Sequence, residues 1–271
     1  MEAANKKGGF PMRSHRAKIL LLRRSHVALC AVLLMAAVLF AAVTWPAAVA
    51  AGTTQRQLPI YSVECRQPLC SISFDAAWGN EDTQQLVDIL ARYNVKTTFF
   101  VVGDWVEKYP ESVKALHDAG HEVMNHSNRH DHYNALTADE IIADITACNE
   151  KIAAITGVTP TLIRCPYGEY DDHVIAAIRS MGMEPIQWDV DSLDWKDYDA
   201  ATICSRVIGK MEQGSIALFH NAALHTPEAL PEILECLIQK GLTVVPISQL
   251  IYWENYTIDH TGRQFPSEQT V

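Results

Sequence analysis

A regular alternation of short apolar runs and helical segments limits the folds open to this chain more than any other feature. Seven runs read as strands, at 70–75, 97–102, 121–125, 161–164, 184–189, 215–219 and 242–247. Segments with helical spacing lie between them, at 81–93, 105–119, 138–156, 171–181, 200–212 and 227–240. Gly120, Gly157, Gly182 and Gly241 stand where four of those helices should stop. Strand–helix–strand repetition implies a mostly parallel sheet. Two arrangements satisfy it: a closed or nearly closed (β/α) barrel, and a doubly wound sheet. No G-x-G-x-x-G follows the first run, which argues against dinucleotide binding.

Unusual polar residues collect at the ends of these runs. Asp75 ends the first, His126 follows the third, "RCPYG" (164–168) ends the fourth, "DVDSLDW" (189–195) ends the fifth and His220 ends the sixth. In a barrel all of these ends share one face, and barrel enzymes assemble their sites there. Scattered core histidines have no reason to fall so consistently on that face.

Each element has a plain reading beside a chemical one. His126 and His130 are either two loop histidines or a pair of imidazole ligands. A four-residue spacing expects both rings on one side of a helical turn, and two neutral imidazoles suit zinc, cobalt or nickel. Two ligands are one short of the usual catalytic set. Asp75 is a loop carboxylate or a helix cap, or else a general base. Asn80 and Thr83 are available to cap the next helix, which leaves Asp75 free for proton transfer. Arg164 can pair with it. His220 is a buried strand-end histidine or, with Asp194 beside it, a proton donor. Trp195 and Trp188 either pack or wall a sugar-sized groove.

The first 51 residues differ in kind from the rest. Seven Lys and Arg precede an uncharged apolar run at 27–44, and "AVA" at 48–50 is similar to a signal-peptidase site. Residues 1–26 are therefore expected in the cytoplasm, 27–51 as a signal peptide or transmembrane anchor, and 52–67 as a linker. A domain over 68–250 and an irregular tail over 251–271 complete the division. Beyond residue 51 the chain holds 15 basic and 31 acidic residues, a net of −16. That excess opposes nucleic-acid binding through general electrostatics. Six cysteines follow the apolar run. Cys148 falls on an apolar helical stripe as a buried thiol, and Cys65 with Cys70 is the best local candidate for a bridge.

Taken together, "SFDAAWG" (73–79), "HSNRH" (126–130), "RCPYG", "DSLDW" (191–195) and "LFH" (218–220) resemble, in order, the motifs of the polysaccharide deacetylases of carbohydrate esterase family four. The form of the first motif is most similar to the subgroup of spore-forming Gram-positive bacteria. The resemblance implies a distorted (β/α) barrel of about seven strands and metal-dependent hydrolysis of an N-acetyl group. It implies Asp75 as base, His126 and His130 as ligands to a divalent metal (zinc, with cobalt or nickel as alternatives), and Arg164 as the residue orienting Asp75. His220 becomes the general acid and Asp194 its support. The Tyr167 amide, after Pro166, helps hold the oxyanion, while Trp195 and Leu218 shape the substrate pocket. The expected protein is a monomer, exported or anchored at the membrane, acting on N-acetylated wall glycan, with peptidoglycan ahead of chitin. Two positions depart from the pattern. Ala76 stands where the family has a metal-binding aspartate, and Cys165 stands between Arg and Pro, where its thiol is expected near the metal. Ala76 keeps a second reading open, a glycan-binding or spore-assembly protein on the same fold.

Overall fold

A computed structural model describes residues 24–51 and 56–267. It divides into two units, Met1–Gln55 and Arg56–Val271. In the first, helix α1 spans Arg24–Ala51. Its side chains are described only at 26 and 28–40, and among the described residues no helix is long and apolar enough to cross a membrane. Most of the basic segment expected over 1–26 lies outside the described residues.

The second unit carries strands β1 (Ser62–Val63), β2 (Leu69–Ala76), β3 (Thr98–Val101), β4 (Glu122–Asn125), β5 (Leu162–Ile163), β6 (Glu184–Pro185), β7 (Val190–Asp191), β8 (Ile216–His220), β9 (Thr243–Val244), β10 (Tyr256–Ile258) and β11 (Arg263–Pro266). Helices α2 (Thr83–Arg92), α3 (Gly103–Lys108), α4 (Pro110–Asp118), α5 (Ala138–Thr156), α6 (Asp172–Ser180), α7 (Ala200–Ile208), α8 (Thr226–Gln239) and α9 (Ile247–Leu250) alternate with them. Seven parallel strands in the order β6-β5-β4-β3-β2-β8-β7 curl into a distorted half-barrel. Of the run expected at 184–189 only Glu184–Pro185 is strand, as β6, and β7 begins just beyond it at Val190. The run at 242–247 reaches the sheet only as β9, which pairs with the start of β2.

Local chemistry sets the boundaries. Thr137 and Glu140 form a reciprocal capping box at the start of α5, and Gly157 closes it in the left-handed conformation at φ 73. Alternation along the strands then divides the core. Ile72, Phe74 and Ala76 of β2 and Phe99 of β3 pack outward with the helices, alongside Leu86, Leu116, Cys148 and Phe219. Phe100, Met124, Leu162, Ile186 and Ile216 fill the interior with Ile60, Val63 and Ile247. The central strand is buried on both faces, as a parallel strand must be when helices cover its sheet.

Three expectations are corrected. The stretch taken as a linker is folded from residue 56: Ile60 is buried and β1 pairs with β11. The tail taken as irregular forms the β10–β11 hairpin, and only 268–271 fall outside the described residues. Short two- to four-residue strands leave little periodicity to read. Finally, Cys65 and Cys70 are free, buried thiols. They belong to different apolar clusters, and the Cys65 thiol donates to the Gln67 carbonyl at 3.3 Å.

Candidate active site

The carboxyl ends of β2, β4, β5, β7 and β8 open on one cleft of about 700 Å³. Asp75, His126, His130, Tyr167, Trp195, Leu218 and His220 line it, together with Trp78, Trp188 and Asp191. Register explains the meeting: Asp75 lies beside Phe100 on one neighbouring strand and beside His220 on the other.

Asp75 and Arg164 form the floor. Arg164 is fully buried and donates from Nη1 to Asp75 Oδ1 at 2.7 Å and from Nη2 to the Gln187 carbonyl at 3.1 Å. Its guanidinium lies over the Phe100 ring at 4.3 Å. Burial alone raises the Asp75 pKa, but the charge of Arg164, with His126 and His220, outweighs it and holds the carboxyl below its ordinary value.

The histidine pair is brought together differently from the expectation. Residues 126–130 form no helical turn; left-handed backbone at Ser127 (φ 69) and His130 (φ 62) folds the segment back on itself. Ser127 Oγ accepts from the His130 amide at 2.8 Å and secures the bend. The two rings then stand 4.9 Å apart, edge to face. His126 Nδ1 faces the Arg164 carbonyl at 2.8 Å, which orients the ring and turns Nε2 toward Asp75 Oδ2, 3.5 Å away. Burial lowers the His126 pKa, and burial with the neighbouring imidazole lowers that of His130 to about 4. Burial thus favours the neutral form of both rings, and the His126–Asp75 approach sets a neutral imidazole beside a carboxylate.

On the opposite wall, Asp194 is fully buried and saturated with donors. Oδ1 accepts from His220 Nδ1 at 2.8 Å and the Trp195 amide at 2.9 Å; Oδ2 accepts from the His220 amide at 2.9 Å and Thr226 Oγ1 at 2.7 Å. Burial opposes protonation of His220, but the bond and charge of Asp194 prevail, with Asp75 and Asp191 adding to them, and raise its pKa. Anchoring Nδ1 leaves Nε2 for the cleft.

Tyr167 sits in the turn Pro166–Gly168 with φ 59. Its ring is exposed, stacks on His132 at 4.2 Å and meets the edge of His130 at 4.4 Å. His132, which carried no assignment from sequence, is a brace for this turn and bonds Glu169 at 2.9 Å. Trp78 and Asp191 also went unassigned; their places inside two of the five motifs were the available signal.

The two departures resolve separately. Cys165 is buried in an apolar cluster with Tyr133, Ile141 and Val174, its thiol pushed up to about 12 by burial. It points away from the cleft, because Arg164 beside it points in. Ala76 is fully buried in the outer core. Asp82, the other carboxylate near this strand end, accepts from the Ala222 amide at 2.9 Å and does not line the cleft. Among the described residues no group of three or more His, Cys, Asp or Glu side chains is placed to hold a metal ion. What remains is a pair of oriented imidazoles beside a carboxylate, donor types that suit a borderline divalent cation and are one protein ligand short of a usual catalytic set.

A polysaccharide deacetylase family model matches residues 63–186. The chain is 34% identical over 189 residues to the peptidoglycan-N-acetylmuramic acid deacetylase PdaC of Bacillus subtilis, covering 70% of this chain and 40% of that one. It is 32% identical to a peptidoglycan-N-acetylglucosamine deacetylase of Bacillus cereus, over 66% of this chain and 67% of that one. A crystal structure of a CE4 family pseudoenzyme from Bacillus anthracis superposes with a TM-score of 0.69 at 33% identity, over 71% of this chain and 68% of the other.

Proposed function

Because the chain belongs to the polysaccharide deacetylase family, we propose that it is a hydrolase that removes N-acetyl groups from cell-wall glycan, peptidoglycan before chitin. One observation carries the reading: a depressed carboxylate, two neutral imidazoles and a raised histidine on a buried aspartate all face a single cleft. The names of the Bacillus relatives support peptidoglycan as the glycan. In this reading the N-terminal segment is a signal or membrane anchor that delivers the domain to the wall of a spore-forming cell.

His126 and His130 would hold the divalent metal, zinc or else cobalt or nickel, which when bound polarises the amide carbonyl as a Lewis acid. Asp75, kept ionised by Arg164, takes the proton of the attacking water. The Tyr167 amide stabilises the oxyanion that forms on the former carbonyl. His220, protonated on Nε2 and steadied by Asp194, gives its proton to the departing amine. Acetate and a free amino sugar result. Leu218 and Trp195 bound the space for the acetyl group and the sugar.

The test is acetate release from peptidoglycan fragments with added zinc or cobalt, wild type against Asp75→Asn. Release that disappears in the variant is the expected result. Ala76 and the Bacillus anthracis pseudoenzyme favour one alternative, a glycan-binding protein without turnover. Fragment binding with no acetate from either protein decides for it.

A further inference from the structure

Trp78 belongs to the first motif but has no part in the chemistry described so far. Trp78 is 46% exposed and lines the cleft, which is not the position of a packing tryptophan. One face lies against the His220 imidazole, centroids 5.7 Å apart and planes 22° from parallel. The loop that carries it is fastened to the residues that follow His220. Asn221, buried, donates from Nδ2 to the Trp78 carbonyl at 2.7 Å and to the Gly79 carbonyl at 2.8 Å. Trp105 Nε1 donates to the same Gly79 carbonyl at 2.5 Å. Gly79 has φ 54, and a Cβ there would come within 2.6 Å of the Ala222 side chain. Residues 78–79 and 220–222 thus form one braced unit.

Building on the deacetylase reading, we propose that Trp78 is a positioning residue for proton donation, its indole face and the Asn221 brace together fixing the His220 ring over the leaving nitrogen. Asp194 alone holds one ring nitrogen but leaves the ring some freedom to tip about its side-chain torsions. A flat aromatic face against the imidazole removes that freedom and also favours the imidazolium that must donate. Asp194, Asp191 and Asp75 are the acidic groups acting on this ring, and His126 is its cationic-capable neighbour.

The experiment compares two substrates. An amine cannot leave without a proton, whereas 4-nitrophenolate leaves as the anion. Trp78→Ala is expected to lower kcat for N-acetyl glycan about 10- to 100-fold, with KM within about twofold and a much smaller loss for 4-nitrophenyl acetate. Trp78→Phe, which keeps an aromatic face, restores most of the amide rate. In a His220→Gln background, Trp78→Ala should cost nothing further. Equal loss on both substrates, or a raised KM with unchanged kcat, overturns the proposal; the latter makes Trp78 a sugar platform instead. If wild type releases acetate from neither substrate, the deacetylase reading itself fails, and this inference with it. The stacking is tested without turnover: the His220 Hε1 resonance should lie upfield in wild type and Trp78→Phe and move downfield in Trp78→Ala. An unmoved resonance also overturns the proposal.

Discussion

Replacing Asp75 by alanine should damage the fold as well as the chemistry, because it strands a charge. Arg164 is fully buried, and its Nε has no hydrogen-bond partner even with Asp75 in place. Without the 2.7 Å bond from Nη1, the Gln187 carbonyl is the hydrogen-bond partner left to the guanidinium, with the Phe100 and Trp188 rings beside it and the charge of Asp191 acting on it. Breaking such a buried pair costs about 3–5 kcal/mol. In a domain of this size each kcal/mol lowers Tm by roughly 2–4 °C, so a drop of roughly 6–20 °C is expected. Urea unfolding followed by tryptophan fluorescence measures it. Adding Arg164→Met to Asp75→Ala should recover most of the loss, since the stranded charge then goes too. The pH dependence has a definite sign. Asp75 is depressed in the folded state, so its stabilising contribution is present above the unfolded carboxylate pKa, about 3.9, and is lost as pH falls through the lower folded value. The deficit of Asp75→Ala is therefore full at neutral pH and shrinks in acid. A variant within about 1 kcal/mol of wild type at pH 7, or a double variant no more stable than the single, refutes the reasoning.

Two further outcomes follow from the same geometry. His220 is raised by Asp194, so its ion-pair contribution is complete below about pH 6.5 and lost as pH rises through the folded value; the alkaline limb of kcat/KM should lie above pH 6.5 and move down in Asp194→Asn. Ala76→Asp places a carboxylate in the apolar outer core, so the protein should lose about 1–3 kcal/mol or more in urea unfolding, and unchanged stability argues against that placement.

Much of the site was legible in one dimension because the strands of a parallel sheet all point the same way. Asp75, His126, Arg164 and His220 each end or follow an apolar run, so the pattern alone put them on a common face. The α/β class followed from the same alternation, the choice of a distorted barrel over a doubly wound sheet came from the family resemblance, and helix ends such as Gly157 followed from cap chemistry. Other elements left no comparable trace. The β10–β11 hairpin and β1 are too short for periodicity, and their pairing joins segments about two hundred residues apart. The bend at Ser127 and His130 has no glycine to announce its left-handed backbone.

Sequence by itself determined the kinds of chemistry available: which carboxylates, imidazoles and aromatic rings exist, and at which strand ends. Tertiary structure alone decided their states and facing partners. Alternation sends Arg164 into the barrel and Cys165 out of it, and the burial that follows makes one a charged partner and the other an inert thiol. It also sets an indole against His220 across a hundred and forty residues of chain. Desolvation and charge–charge distance are properties of positions in space, and residue order carries them only where a regular strand or helix converts spacing into direction.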